Sequence, residues 1–432
     1  MARLSKRALA AYAAAGLPLA AAALPVYVHA PKFYASLGLD LTLIGIVLLA
    51  VRVLDAVSDP LLGVLADRVP ARYGGRKTML AVAVPAVALG MFLLFHPPAN
   101  GSGLVLPLVA SLILTYLGLS AASISYFALG SALSRDYAER TRITAARGAA
   151  ALAGVLLAAA VPEWLAQSRG VAAGLGTFST AYAPLLVAAV AVTVFAGPAA
   201  AASTGARPVT LGSLLQPLRN ARFRRLAAIF LVNGVAAAIP ATLLLFYVAD
   251  VLQREDLTAV FLVLYFVAGA AGMPAWVRLA GLVGKARAWL LAMVLAVAAF
   301  VWAYVLGPGE VWAFGAVCVL SGLAFGADLA LPASLLADVI DGDEDRAGRP
   351  DGTYFGLWHL LEKLALALAA GAAFPLLESL GYVPGAVADA GSAVAGVYAL
   401  LPCAIKVAAA LLLATARLEV MREQRLLKGA VT

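Results

Sequence analysis

Twelve apolar stretches, each close to a bilayer's width in helical length, run through this chain with very few charges inside them. About 20 apolar residues in a helix cross a hydrocarbon core roughly 30 Å thick. Inside that core water supplies no hydrogen bonds, so a spanning segment must be a helix or a strand of a closed barrel. Barrel strands alternate over about ten residues, and these runs are longer and unbroken. The chain of 432 residues is 63% hydrophobic and 12% charged, with a mean hydropathy of +0.95, against about 25% charged in soluble proteins. An all-α membrane protein of twelve helices is therefore predicted. The spans are placed at 9–30, 40–66, 78–97, 104–133, 144–166, 177–199, 225–250, 257–279, 286–306, 311–339, 353–377 and 391–416. The opening Met1–Arg7 is basic, but the next apolar stretch continues as a full span without a clear cleavage site, so no cleavable signal peptide is expected.

Basic residues alternate with loop parity. One side carries Arg3, Lys6 and Arg7, then Arg68 to Lys77, Arg135 to Arg147, Arg207 to Arg225, Arg278 to Arg287, Arg346 and Arg349, and the tail from Arg417 to Lys428. The other side has Lys32, Arg169 and Arg254. The positive-inside rule puts both termini in the cytoplasm of a bacterial-type inner membrane, which an even span count requires. The net charge of +8 is thus topological, and no nucleic-acid partner is expected. Cys318 and Cys403 both fall in spans, which argues against a disulfide framework or a cysteine metal site. The longest basic-side loop, 201–224, divides the chain into a bundle of six spans (1–200) and a second of six (225–417), with a cytoplasmic tail at 418–432. Two such halves suggest the major facilitator architecture, in which the halves rock about a midplane site.

Two acids lie within span 2, in Arg52-Val-Leu-Asp55-Ala-Val-Ser58-Asp59-Pro60-Leu-Leu-Gly63. A carboxylate costs roughly 2.5–3.5 kcal/mol at a helix centre on insertion scales. The i, i+4 spacing places both on one face, about 5–6 Å apart at Cβ, close enough to share one small cation. Lys363 is a third intramembrane charge, with His359 one turn before it. Asp328 in span 10 has no partner nearby in sequence; Lys406 in span 12 is a candidate, or it faces an inner cavity.

The order Gly63, Asp67-Arg68 and Gly75-Arg76-Lys77 resembles the signature loop of major facilitator transporters, which implies a cytoplasmic gate at Asp67, Arg68, Arg76 and Lys77. The span 2 motif, Leu336-Ala-Asp338-Val-Ile-Asp341, Lys363 and Gly381-Tyr-Val-Pro384 together resemble the glycoside–pentoside–hexuronide cation symporters, typified by melibiose permease. That resemblance implies a cation site at Asp55, Ser58, Asp59 and Ser120, with Asp55 and Asp59 as metal ligands if the ion is Na⁺; the alternative is that the two acids simply pair with Arg52 and Lys363. It implies that Lys363 pairs with the carboxylates when the ion is absent. Arg147 falls near a family arginine of the substrate pocket, or is a topological anchor. His359 lines the cavity, or is a plain helix residue. No cofactor beyond the transported Na⁺ or H⁺ is implied, and a monomer is expected.

The family's sugar-binding acids are missing, since Pro18 and Ser123 stand in their places and Phe127 and Leu329 replace aromatic platforms. The run Leu331 to Asp341 also resembles the lysophospholipid symporter branch. An organic solute of glycoside type is the first expectation, and a lysolipid or other amphiphile the alternative. Neither His-Glu-x-x-His nor Gly-x-Ser-x-Gly occurs, and Asp341-Gly-Asp-Glu-Asp345 lacks the remaining calcium-loop spacing, so an enzyme is not expected.

Overall fold

The computed structural model describes residues 4–68, 75–98, 101–134, 137–198, 216–341, 352–383 and 390–416. Among them there is no β-strand, and twelve helices are long and apolar enough to cross a membrane. In order, spans 1 to 6 are Lys6–Ser36, Leu41–Asp59, Arg76–Leu94, Val105–Gly130, Arg142–Arg169 and Val171–Ala196. Spans 7 to 12 are Ala221–Val251, Glu255–Val283, Lys285–Tyr304, Val311–Ile340, Tyr354–Ser379 and Ser392–Thr415. Most of the expected linker, the acidic loop after Asp341 and the tail lie outside the described residues.

Local chemistry sets the helix ends. Ser5 caps span 1, its side chain accepting from the Ala8 amide, and Asn220 caps span 7, accepting from the amides of Arg222 and Phe223. Single glycines with positive φ, Gly170 at 85° and Gly284 at 99°, turn the chain between spans 5 and 6 and between spans 8 and 9. A side chain would be strained in that conformation. Span 1 continues to Ser36, beyond its expected end near residue 30. It is built from short segments, with a π-helical turn at Pro25–His29 followed by Ala30–Ser36. The backbone stays helical through both Pro25 and Pro31.

The chain divides into two compact units, Met1–Val209 and Thr210–Thr432. In the first unit, spans 3 and 4 approach closely through small residues. A Cβ added at Gly118 would lie 2.9 Å from the Val87 amide nitrogen. Such close backbone approach replaces the hydrophobic driving force that lipid cannot supply. Span 1 lies along the helix Tyr137–Arg169, which carries span 5. The Leu4 amide donates to Glu139 Oε1 at 3.1 Å, and His29 Nε2 lies 3.1 Å from Glu163 Oε1.

In the second unit, spans 8 and 10 make the corresponding close pair, where a Cβ at Gly272 would meet the Leu323 carbonyl at 2.7 Å. Phe223, Leu226, Trp289, Leu336, Tyr354 and Trp358 belong to a buried core drawn from several of its spans. Tyr382, beyond the end of span 11, donates to Asp250. Burial, together with that hydrogen bond, raises the Tyr382 hydroxyl above its ordinary pKa.

The glycine contacts define a test. Gly118→Ala forces spans 3 and 4 apart and is expected to cost about 1–3 kcal/mol. Gly148 has nothing within 4 Å of an added Cβ, so Gly148→Ala is expected to be neutral or to gain up to about 1 kcal/mol from helix propensity. Thermal unfolding of both purified variants in detergent reads the contrast.

Candidate functional site

Span 2 belongs to one unbroken helix, Leu41–Arg68, and carries Asp55 near its middle at 2% exposure. Ser120 of span 4 donates to Asp55 Oδ1 at 2.6 Å. Arg52 Nη1 lies 3.8 Å from Asp55 Oδ2, one turn away on the same helix. The Arg52 guanidinium also sits 3.9 Å from the centre of the Tyr116 ring. Tyr116 and Ser120 are themselves one turn apart on span 4. The two helices thus form a ladder, with arginine opposite tyrosine and aspartate opposite serine. Tyr27 of span 1 lies within electrostatic reach of Arg52.

The other expected cation ligands are arranged differently. Ser58 Oγ donates to the Asp55 backbone carbonyl at 2.8 Å, so its proton is directed along the helix and away from the carboxylate. Asp59, one turn past Asp55, is half-buried. Among the described residues no cluster of three or more His, Cys, Asp or Glu has a metal-site arrangement.

Nearer the basic end of the first unit is an aromatic wall. Tyr12 and Tyr126 stack with ring centroids 4.9 Å apart and planes 25° from parallel. Phe127 is 41% exposed, and the Arg147 guanidinium sits 4.3 Å from its ring centre. Ser123 is half-buried on the same span. Pro18 is buried, and its carbonyl accepts from the Tyr182 hydroxyl at 3.0 Å.

Of the gate residues, the side chains of Asp67 and Arg68 lie outside the described residues. Arg76 Nη1 donates to the Ala128 carbonyl at 3.2 Å. Lys77 Nζ donates to the carbonyls of Val194 and Gly197 at 2.9 and 2.8 Å. These are carbonyls left open at the end of span 6, where an ammonium also meets the negative end of the helix dipole. The start of span 3 is thereby tied to the ends of spans 4 and 6.

In the second unit, Lys363 is half-buried on span 11. His359 Nδ1 lies 2.9 Å from Glu362 Oε2, and both side chains are about half exposed. Asp328 is enclosed in a complete polar cluster. Its Oδ1 accepts from Asn233 Nδ2 at 3.0 Å and Trp289 Nε1 at 2.7 Å, and its Oδ2 pairs with Lys406 Nζ at 3.2 Å. Lys406 also donates to Asn233 Oδ1 at 2.9 Å. Lys406 is the candidate partner named from the sequence. Asn233 and Trp289 were not singled out there, although a lone amide within Leu231-Val-Asn-Gly-Val was the available signal. Leu329, next to Asp328, is 47% exposed. At the basic end of the same unit, Lys285 Nζ holds Asp338 at 2.6 Å and the Ser334 carbonyl at 3.2 Å.

Two helical units of six spans, with paired acids in one and an intramembrane lysine in the other, define a secondary transporter of the major facilitator class. A family model described as "MFS/sugar transport protein" matches residues 9–419, and the chain belongs to that family. Among its relatives, "Putative glycoside/cation symporter YagG" of Escherichia coli strain K12 is 23% identical over 80% of this chain and 76% of its own length. "Inner membrane symporter YicJ" of the same organism is 26% identical over 56% of this chain, and the match spans 53% of that protein. The nucleoside transporter NupG shares the fold, with a TM-score of 0.67 at 15% identity over 95% of this chain and 99% of its own. A bacterial homologue of the human lysosomal transporter Spinster does so at TM-score 0.68 and 13% identity, over 96% of both chains. The expectations of a twelve-helix major facilitator fold and of a glycoside–pentoside–hexuronide symporter-like family hold.

The Asp328 cluster generates a prediction about stability. Removing one partner of a buried ion pair strands the other and costs about 3–5 kcal/mol, whereas removing both is far milder. Lys406→Met is therefore expected to lower the unfolding temperature strongly, and Asp328→Asn combined with Lys406→Met to recover most of the loss in the same assay.

Proposed function

We propose that this protein is a cation-coupled symporter of a glycoside-type solute, working by alternating access. The observation that carries this reading is Asp55, a carboxylate with 2% exposure in the middle of a membrane span, hydrogen-bonded to Ser120 at 2.6 Å, with Asp59 one turn further along the same helix. Such a residue is expensive to keep in a membrane unless it works. Asp55 and Asp59 supply the negative charge that holds Na⁺ or H⁺, and Ser120 supplies a further oxygen. Hard oxygen ligands suit a hard cation. For H⁺ the carboxylates themselves are the acceptors.

Coupling follows from charge. Bare carboxylates resist being sealed from water; once the ion has neutralised them, the loaded unit moves without that penalty. Lys363 serves as a tethered substitute cation for the empty state. Arg76 and Lys77, with Asp67 and Arg68, fasten the cytoplasmic end while the pathway opens on the other side. The units 1–200 and 225–417 are the two rocking bodies, joined by 201–224, in a protein that works as a monomer in the inner membrane with both termini in the cytoplasm. The glycoside class is supported by the family description and by the printed name of YagG. The amphiphile alternative receives no support from these relatives.

Transport in proteoliposomes tests the reading. Asp59→Asn is expected to fold normally and to lose gradient-driven accumulation of solute under both a Na⁺ gradient and a pH gradient. Accumulation at the wild-type rate in this variant refutes the assignment of the coupling site.

A further inference from the structure

A cavity of about 770 Å³ opens at the less basic end of the first unit, between spans 1, 3 and 6. Phe33 and Leu37 wall it at the end of span 1, and Phe95 and His96 at the end of span 3. Span 6 contributes one helix face, from Ala172 and Ala173 down to Pro184. Twelve residues of helix rise roughly 18 Å, so the hollow is a slot that follows the span inward from its end. Small side chains at Ala173, Gly176 and Ala181 leave the room for it. Asp55, Ser120 and Arg147 are not part of its lining.

Polar groups gather where the slot begins. Arg169 is exposed, and its Nη1 donates to Thr177 Oγ1 at 3.3 Å. The Thr177 proton goes to the Ala173 carbonyl at 2.7 Å. Among the described residues Arg169 makes no ion pair. The acid closest to it in the chain, Glu163, lies against His29 at 3.1 Å. His96 stacks on Phe92 with centroids 4.1 Å apart, and its Nδ1 lies 2.9 Å from the Phe92 carbonyl. That nitrogen carries the proton of the neutral ring, which leaves Nε2 as an acceptor. Nε2 in turn sits over Gly176, 3.0 Å from where a Cβ would stand. Gly176 and Thr177 are consecutive, so imidazole and guanidinium meet span 6 at one level. Basic residues are scarce on this side, which has Lys32, Arg169 and Arg254. Arg254 is held by Asp256 at 2.7 Å, while Lys32 directly precedes Phe33 of the lining.

We propose that this slot binds an anionic phospholipid with a hydroxylated headgroup, its phosphate on Arg169, a headgroup hydroxyl on His96 Nε2 and one acyl chain along span 6. A guanidinium fork matches two phosphate oxygens through parallel N–H donors. The bare imidazole nitrogen accepts a proton that a glycerol hydroxyl can give and a choline cannot. Basic pockets between membrane helices hold anionic headgroups in this way. A small soluble anion would use the polar end and leave the apolar length of the slot unfilled. The aromatic rings of Phe33 and Phe95 and the face ending at Pro184 suit a hydrocarbon chain. The lipid is a resident ligand, not cargo, and it bridges the ends of spans 1, 3 and 6. The site stands apart from the symporter reading and does not depend on it.

Photo-crosslinking of the full-length protein in phosphatidylcholine vesicles tests this. The vesicles carry a trace of phosphatidylglycerol or of phosphatidylcholine, each with the same diazirine-bearing acyl chain, and peptide mass spectrometry locates the adducts. The phosphatidylglycerol probe is expected to label the Ala172–Pro184 segment about fivefold or more above the phosphatidylcholine probe, as for one basic side chain acting on one anionic headgroup. Arg169→Gln is expected to erase that preference and Arg254→Gln to keep it. Ala181→Phe, which fills the slot from an exposed position, is expected to reduce labelling there by both probes. Equal labelling of the segment by the two probes in the wild-type protein overturns the proposal. So does a preference that survives Arg169→Gln, or one lost equally in Arg254→Gln, which marks a diffuse charge effect. Displacement of the probe by excess glycerol 3-phosphate overturns it too, because the occupant is then a soluble anion. The wild-type comparison needs no variant, so a poorly folded mutant does not protect the proposal.

Discussion

Hydrocarbon offers no partner to a polar group, and nearly every feature of this molecule answers that constraint. The backbone answers it by forming helices. Where prolines remove donors in span 1, the backbone stays helical and takes up a π-helical turn at Pro25–His29. Helix ends are closed by Ser5 and Asn220 at amide ends and by Lys77 at carbonyl ends. Because lipid is as apolar as leucine, the helices are held by close fit, and glycines mark where backbones nearly touch.

The side-chain charges answer the same constraint in different ways. Asp328 is enclosed by an amide, an indole and an ammonium, so that its charge is matched and its oxygens are occupied. This suits a cluster that ties together four spans of one unit. Asp55 has a short serine hydrogen bond and a long approach from arginine. Arg147 has an aromatic face and two nearby phenols.

The spans and their number were legible because membrane insertion imposes length and apolarity on contiguous residues. Asp55 with Ser120 came from resemblance, since sixty-five residues separate them and no local pattern joins span 2 to span 4. The Arg52–Tyr116 stack was not legible, because tyrosine in an apolar span is common and its function here depends on which helix lies opposite. Asn233 and Trp289 went unnoticed for the same reason. The extension of span 1 to Ser36 was missed because proline ordinarily signals an ending, whereas the backbone here stays helical through Pro31.

What the sequence determined by itself was therefore everything governed by the solvent: the helical class, twelve crossings, and the presence of charges that a bilayer tolerates only for cause. Tertiary structure alone decided which charged groups meet and through which atoms. Electrostatic pairing acts through space over a few ångströms, between residues such as Asp328 and Lys406 that lie 78 positions apart in the chain.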